Sequence, residues 1–377
     1  MGVSSSDKPI RRLTIVLVLS MGLTMIRCSS DNPTEPTPNI PDTLSLQTSR
    51  VAWHIASTPE PIRQADYKLG RVSWYTPRDL LPASEIWGDN AHVGESTVRT
   101  LRLIFEPAHF RIDTAVSNST DTIFDTTFGL PSWAGVMRYI DSYAWDALPE
   151  SLEVRLHGNH GVIHVDIGQI SEDLDLYGPA DHTPFSEDGS YNGAANGFVE
   201  AEEDIGLDGL PDKDEPGYDA LTNPDPNGDN WFLEGKGRCP LPPNECATVN
   251  WDDESVRYRW INGTEGNRDD PLTGNRPDQE PLRQGRGLNE YNAYLTYTLD
   301  LGSVSFLVEG SEFNGWRTYK IPIVDTLAIS GSVNVSGGLA GLSQLTHVRV
   351  WLEASPIQQI PDTIDIADWR FSAPRLK

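Results

Sequence analysis

Two short stretches of the sequence carry oxygen-rich side chains at spacings that could bind a metal ion. The first holds Asp208, Asp212, Asp214 and Glu215, and the second holds Asp225, Asn227 and Asp229 at alternate positions around Gly228. Calcium takes six to eight oxygen ligands, and glycines allow the sharp turns that bring such ligands together. We therefore predict a calcium site here and no other cofactor. The EF-hand pattern is incomplete, because Lys236 stands where its bidentate Glu belongs. The alternative is a solvated loop that closes Asx-turns.

Tryptophans form the second candidate site. Trp74, Trp133 and Trp231 occupy strand-edge or loop contexts in which an indole face could stack on a sugar. The alternative is that these side chains cover the core. For catalysis we predict no residues, because the sequence contains no nucleophile elbow, H-E-x-x-H motif, P-loop or dinucleotide fingerprint. A glycosidase-type pair of carboxylates remains an alternative only because the sequence contains many carboxylates.

The N-terminus has the layout of an export signal. Lys8, Arg11 and Arg12 precede an apolar run that ends at Ile26 and is too short to span a bilayer comfortably. Cys28 follows at once, as in bacterial lipoprotein signals, although Arg27 replaces the usual small residue. We predict a signal peptide over residues 1–28, lipidation of Cys28, and attachment to the membrane only through this lipid anchor.

Residues 29–48 are polar and rich in proline, so we interpret them as a disordered tether and residues 49–377 as the folded domain. The other two cysteines, Cys239 and Cys246, flank a short proline-rich loop. In the oxidising compartment that export implies, we predict a disulfide between them. A zinc site is disfavoured because no further ligands lie at suitable spacing.

The charge is strongly negative. The formal net charge is −26, and residues 171–235 contain 18 Asp and Glu against one Lys. This balance excludes nucleic acid as an expected partner, since phosphate attracts a basic surface. It suits divalent cations or basic partners. The alternative is that the acidity only keeps an exported protein soluble.

Strand-type alternation occurs on both sides of this acidic region. Leu152–Leu156 and Ile163–Ile167 alternate apolar and polar residues around a Gly-rich turn, which predicts a β-hairpin. Further strands are predicted over 98–105, 295–301, 304–308, 319–323, 348–352 and 363–373, and Pro322 indicates an edge strand. Residues 172–290 lack this pattern. We predict an all-β, antiparallel β-sandwich whose halves lie on both sides of a long, acidic, loop-rich insertion.

Several segments, taken in order, resemble the soluble modules of the SprA (Sov) family of outer-membrane translocons in type 9 secretion and gliding motility. These segments are Val72–Pro77, Ser132–Ile140, Leu152–Asp173, Glu203–Glu215, Asn289–Leu301, Trp316–Pro322 and His347–Leu352. The strands around Trp316 and His347 are also similar to galactose-binding-like modules. These resemblances imply a jelly roll outside the cytoplasm, near the outer membrane.

The resemblance carries over only the module, because SprA-type proteins are several times longer and carry a transmembrane barrel. Together with the lipid anchor predicted at Cys28, it implies a non-enzymatic lipoprotein of the outer membrane, on the cell-surface or periplasmic side. Its partner would be an envelope protein or an outer-membrane secretion component, contacted through the insertion. The alternative expectation is a lipoprotein that binds polysaccharide on a jelly-roll face, and a glycoside-active enzyme ranks third.

Overall fold

The computed structural model describes residues 43–107, 130–174, 184–224, 277–323, 333–336 and 345–372, with gaps at 47, 64, 66, 78, 92–95, 141–148, 159–160, 190–194, 201, 208, 216–217, 223, 284–286, 356–357 and 359–360. Residues 40–377 form one compact unit. The described strands are β1 Thr43–Ser45, β2 His54–Ile55, β3 Lys68–Leu69, β4 Arg71–Tyr75, β5 Leu81–Pro82, β6 Thr97–Val98, β7 Leu101–Glu106, β8 Ser132–Tyr139, β9 Ser151–His157, β10 Val162–Gln169, β11 Ala293–Asp300, β12 Trp316–Pro322, β13 Val333–Ser336, β14 His347–Ala354 and β15 Asp362–Ser372. The described helices are α1 Glu60–Arg63, α2 Ala83–Trp87 and the 3-10 helices Arg50–Ala52, Gly88–Asn90 and Asp212–Asp214.

Two antiparallel sheets face each other, which confirms the predicted all-β sandwich. The six-stranded sheet has the order β12-β9-β15-β7-β4, with β1 also paired to β15. The seven-stranded sheet has the order β13-β11-β10-β14-β8-β2, with the short β3 also paired to β8 in parallel. Eight strands, β7 to β12 with β14 and β15, are distributed between the two sheets in the order of a jelly roll.

The core lies between the sheets and is built by period-2 alternation. Leu152, Val154 and Leu156 from β9 meet Ile163 and its β10 neighbours there, and all are at most 2 % exposed. Alternate residues on each strand therefore point outward and make the two outer faces. Each outer face is partly covered by short helices and loops.

The predicted hairpin between β9 and β10 is wrong. β9 pairs with β12 and β15 in the six-stranded sheet, whereas β10 pairs with β11 and β14 in the seven-stranded sheet. The turn carries the chain across the sandwich, with Gly161 at a φ of 102°. Both connections place alternate apolar residues in one core, so the alternation does not distinguish an arch between sheets from a hairpin.

The true hairpin joins β10 to β11 across the insertion. Their ladder runs in register from Val162 opposite Asp300 to Gln169 opposite Ala293. Gly168 is required near its end, because a Cβ there would lie 2.4 Å from the Ala293 carbonyl oxygen. The acidic region thus connects two neighbouring strands of one sheet, with sandwich strands on both sides of it as predicted. Its described residues contain no strand and only the 3-10 helix Asp212–Asp214.

Two further strand predictions have different outcomes. The edge-strand prediction from Pro322 is confirmed, because β12 is the outermost strand of the six-stranded sheet. The strand predicted over 304–308 is wrong. No strand forms there: Ser305 and Phe306 lie in a turn, Leu307 makes an isolated β-bridge to Tyr319 of β12, and Val304 is 80 % exposed. The pairing with β12 is limited to this bridge and to two backbone hydrogen bonds, in which Val308 N–H donates to the Thr318 carbonyl and Lys320 N–H donates to the Phe306 carbonyl.

The sandwich begins earlier than the predicted tether allows. β1 pairs with β15 from Thr43 opposite Ser372 to Ser45 opposite Arg370, and Leu46 joins the core at 7 % exposure. The tether prediction of 29–48 therefore needs correction at its C-terminal end. The polar composition of this segment does not indicate β1. The strand forms because it gains ladder hydrogen bonds from β15, which lies more than 300 residues away in the sequence.

A second, smaller core lies on the outer face of the seven-stranded sheet. Ala56 and Ile62 from the segment around α1 pack there against Trp133, Met137 and other side chains. The same face carries a row of polar side chains between β10 and β14. This row lies directly beneath the two ends of the insertion.

Candidate interaction surface on the acidic insertion

The two ends of the insertion leave the sandwich side by side. Beyond the last ladder pair, Glu172 N–H donates to the Asn289 carbonyl at 2.7 Å. The Asn289 side chain donates to the Ile170 carbonyl at 2.6 Å, and Ser171 N–H donates to the Asn292 side chain at 2.9 Å. We call residues 170–174 and 289–292 the root of the insertion. These bonds fix the direction in which the insertion departs.

A buried carboxylate ties the root to the sheet. Glu172 Oε1 lies 3.1 Å from His347 Nε2 at the start of β14, and Glu172 Oε2 accepts the Asn289 N–H at 2.9 Å. The Tyr139 ring packs edge-on against the His347 imidazole, with ring centroids 5.5 Å apart. One side chain therefore joins both ends of the insertion to the seven-stranded sheet.

An ion pair beside Glu172 also anchors the segment before α1. Arg349 Nε and Nη2 lie 2.7 and 2.6 Å from Asp166 Oδ2, and both side chains are at most 1 % exposed. Arg349 Nη1 donates to the Ser57 carbonyl at 2.9 Å, and Ser57 Oγ donates to the Ser171 carbonyl at 2.5 Å. The Arg349 guanidinium thus connects β10, the segment before α1 and, through Ser57, the root.

At the end of the polar row that lies away from the root, the side chains of His164, Glu353 and Tyr67 form a hydrogen-bonded chain. His164 lies 3.1 Å from both Thr298 Oγ1 and Glu353 Oε2, and its ring stacks on Trp351 at 3.6 Å. Tyr67 O–H donates to Glu353 Oε1 at 2.6 Å. The bond from His164 holds the pKa of Glu353 below its ordinary value. Burial, then the bond to Glu353, raises the pKa of Tyr67 to about 12.

Further out, the departing and returning chains form a stem. Ser186 bridges Gln279, Glu187 N–H donates to the Asp278 carbonyl, and Glu280 N–H donates to the Phe185 carbonyl. The stem has carboxylates inside it, since Glu187 is 0 % and Glu280 is 9 % exposed. Their presence in a low-dielectric interior needs hydrogen-bond compensation.

Backbone N–H groups supply that compensation. Glu187 accepts from Gly206 at 2.9 Å and from Asp278 at 2.7 Å, and Glu280 accepts from Leu174 at 3.2 Å and from Phe185 at 3.0 Å. Each carboxylate therefore joins segments that are far apart in sequence. Part of the acidity of the insertion is structural, because these side chains replace the missing strand ladder as acceptors.

A third buried carboxylate organises the middle of the insertion. Glu203 is 0 % exposed and accepts from Gly189 N–H at 3.1 Å and from Glu200 N–H at 3.3 Å. Burial, then the neighbouring Glu200 side chain, raises the pKa of Glu203. The Glu203 side chain thereby joins Gly189 to Glu200.

The outside of the insertion carries exposed apolar side chains. Nine large apolar side chains are exposed among the described residues, and four of them lie between residues 198 and 221. They are Phe198 at 53 %, Leu210 at 39 %, Tyr218 at 39 % and Leu221 at 73 % exposure. These four side chains therefore lie on a strongly acidic part of the sequence.

The predicted calcium ligands fall in different places. Asp212 and Asp214 lie in the 3-10 helix, Asp214 is exposed, and Glu215 is buried at 4 %. Within the described part of the chain, no three His, Cys, Asp or Glu side chains come together in a group that could hold a metal ion. Asp208, Asp225, Asn227 and Asp229 lie outside the described residues.

The predicted sugar-stacking residues are enclosed where they are described. Trp74 is 0 % exposed in the main core, and Trp133 is 5 % exposed in the smaller core. Neither ring offers a free face to a sugar. Trp231, the lipidation site Cys28 and the cysteines Cys239 and Cys246 lie outside the described residues.

Sequence reasoning missed the polar row beneath the root. The signal was present as charged or polar residues at outward positions of two strands, such as Asp166 in β10 and Arg349 in β14. Their meeting depends on the β10–β14 register, in which Asp166 lies opposite Arg349. That register joins residues 183 positions apart, so the local pattern does not contain it.

Comparison with known proteins gives no family assignment: no protein-family model matches the chain, and a search of curated proteins finds no similar sequence. None of the helices that the structure describes has the length and apolar character needed to cross a membrane.

Proposed function

We propose that this protein is a non-enzymatic lipoprotein of the outer membrane, on its periplasmic or cell-surface side, and an accessory to outer-membrane protein secretion or gliding. Its sandwich would present the acidic insertion to an envelope protein. The observation that carries the proposal is the concentration of exposed apolar side chains between residues 198 and 221. The lipid anchor and the outer-membrane setting come from the sequence around Cys28 and from the SprA resemblance.

The use of the buried carboxylates supports a binding role over catalysis. Glu172, Glu187, Glu203 and Glu280 each accept backbone N–H groups, and each is at most 9 % exposed. Carboxylates that accept backbone N–H groups and are closed off from solvent serve the fold. A general acid or base must instead reach the proton that it transfers.

The rigid root also supports a binding role. The Glu172–His347 and Asp166–Arg349 contacts fix both ends of the insertion on a sheet. A contact segment held on a rigid scaffold loses less conformational entropy when it binds a partner. Calcium bound among the undescribed acidic residues would add to this order, and it stays part of the proposal.

A crosslinked pull-down from native envelopes tests the proposal. The bait is the tagged full chain, compared with the variant Phe198→Ser/Leu221→Ser. The matched control is Leu69→Ser/Val304→Ser, because these side chains are 53 % and 80 % exposed but lie outside the insertion. Recovery of an outer-membrane secretion component by the wild type and the control, but not by the insertion variant, is expected. The proposal is contradicted if the wild type recovers no specific envelope protein, or if the two variants recover the secretion component equally well.

A further inference from the structure

Strand β1 and the root of the insertion lie at the same end of the sandwich. Thr43 in β1 lies opposite Ser372, the last residue of β15, and Ser151 N–H at the start of β9 donates to Ser372 Oγ at 3.0 Å. β9 runs from there to the opposite end, where the turn into β10 lies against the end of β11. At this turn Leu301 N–H donates to the Gly161 carbonyl at 3.1 Å. β10 then runs back and ends next to the root. We call the end that carries Thr43 and the root the root end.

A series of contacts across the sandwich gives the same placement independently. Leu46 N–H, directly after β1, donates to the Trp369 carbonyl at 2.7 Å, and the Trp369 ring packs edge-on against Trp53, with ring centroids 5.6 Å apart. The Arg138 guanidinium lies over the Trp53 ring at 5.6 Å. Arg138 pairs with the second residue of β14, directly after His347, which contacts the root. The chain therefore enters β1 at the end of the sandwich from which the insertion leaves.

This placement matters because the predicted lipid would be attached close to β1 in the sequence. Cys28 precedes Thr43 by 15 residues. A chain of that length spans about 50 Å when fully extended and about 20 Å on average as a flexible coil. The eight residues of β10 run about 27 Å from one end of the sandwich to the other. If the opposite end faced the membrane, the chain before Thr43 would have to run back along that length, at a cost in chain entropy.

The charge of the insertion disfavours the lipid surface as its contact. Residues 171–235 contain 18 Asp and Glu against one Lys. An anionic lipid surface repels such a segment. A soluble protein would have to enter between the root end and the bilayer. An integral membrane protein that rises from the bilayer beside the lipid anchor meets the insertion without either difficulty.

We infer that the root end faces the membrane that carries the lipid, and that the insertion contacts an integral protein of that same membrane close to the bilayer surface. The inference rests on the proposed function and adds to it the direction in which the insertion points and the class of its partner. It requires the lipid at Cys28 and the topology at Thr43, and it does not depend on any single side chain of the insertion.

Two exposed positions on either side of β11 form a matched pair for testing the orientation. Tyr291, just before β11 at the root end, is 75 % exposed, and Val304, just after β11 at the opposite end, is 80 % exposed. A fluorescent amino acid is placed at one position or the other in the lipidated full chain. The protein is reconstituted in vesicles of phosphatidylethanolamine and phosphatidylglycerol that carry an energy acceptor in the bilayer.

Energy transfer should place position 291 nearer to the bilayer than position 304, by roughly 27 Å, the length of the eight-residue strand β11. Insertion of about 30 Gly and Ser residues before Thr43 should reduce this difference, because the lengthened chain spans more than the sandwich. Equal transfer from both positions, or stronger transfer from position 304, overturns the inferred orientation.

Photo-crosslinking in native cells tests the class of partner at the same two positions. A photoreactive amino acid at position 291 should crosslink an integral membrane protein with a yield several times that from position 304. Crosslinks from position 291 to lipid alone or to a soluble protein alone, or equal yields from both positions, overturn the inference. If the pull-down recovers a secretion component while position 304 lies nearer to the bilayer, the proposed function stands and only the inferred orientation is wrong. If the full chain is absent from the membrane fraction, both are wrong.

Discussion

His347 Nε2 lies 3.1 Å from Glu172 Oε1, and both side chains are 3 % exposed. This contact joins the first strand residue of β14 to the point where the insertion leaves the sandwich. Because Glu172 also accepts the Asn289 N–H, the same carboxylate holds the point where the insertion returns. One buried side chain therefore contacts both ends of the insertion.

Glu172→Ala should loosen the insertion. The variant leaves His347 Nε2 and the Asn289 N–H without their buried acceptor, which costs about 1–3 kcal/mol per unsatisfied group. We expect faster limited proteolysis between residues 175 and 288 and a lower Tm. The control is Glu202→Ala, which removes an exposed carboxylate of the same insertion. Unchanged cleavage in Glu172→Ala would show that other contacts hold the root.

Asp166→Leu should be strongly destabilising, because it leaves the Arg349 guanidinium buried without its counter-charge. Breaking a buried pair from one side costs about 3–5 kcal/mol, whereas replacing both partners is often far milder. The double variant Asp166→Leu/Arg349→Leu should therefore unfold at a higher denaturant concentration than Asp166→Leu. Equal midpoints for the single and double variants would contradict this.

An exposed pair provides the comparison for that experiment. Lys320 Nζ lies 3.0 Å from Glu153 Oε1, with side chains 55 % and 36 % exposed. Exposed pairs contribute about 0–1 kcal/mol. Glu153→Ala should therefore leave the unfolding midpoint nearly unchanged.

Glu353→Gln should lower the stability in a pH-dependent way. The His164 bond lowers the pKa of Glu353 from its ordinary value of 4.5. A lowered folded-state pKa contributes stability above the unfolded pKa, and this contribution is lost as the pH falls through the folded pKa. The Tm difference between wild type and variant should thus be largest near neutral pH and shrink below about pH 4.5. A difference that stays constant over this range would exclude the titration of Glu353 as its cause.

Cys28→Ser should release the protein from the envelope. Without the thiol no lipid can be attached, and we expect the chain to move from the membrane fraction to the soluble fraction after cell lysis. Cys239→Ser is the matched control, because it removes a cysteine that we assign to a disulfide. Membrane retention of Cys28→Ser would contradict lipidation at this position.

The sequence patterns predict the strands better than their partners. Alternation over Ile163–Ile167 and Leu152–Leu156 locates β10 and β9 correctly, because half-buried strands need that period. The same alternation gives the wrong connection, since two strands facing one core from opposite sheets show the same pattern as a hairpin. Pro322 correctly indicates an edge, because a proline without an N–H is tolerated there.

The candidate surface was predictable only as a region. The density of Asp and Glu marks the insertion, but composition does not separate Glu187, which is buried and accepts two N–H groups, from the exposed Glu202. That distinction depends on the stem, which brings Glu187 to Asp278 across 91 positions. Long-range pairing of this kind has no local signature.

The position of β15 has a consequence for biosynthesis. This strand, Asp362–Ser372, lies between β9 and β7 and also receives β1, so it is the centre of the six-stranded sheet. The sheet therefore cannot close until these residues have left the ribosome, and its contacts are among the slowest to form because they span the chain. During that interval the polypeptide lacks its central strand, and the strand edges of β9 and β7 that pair with it stay exposed.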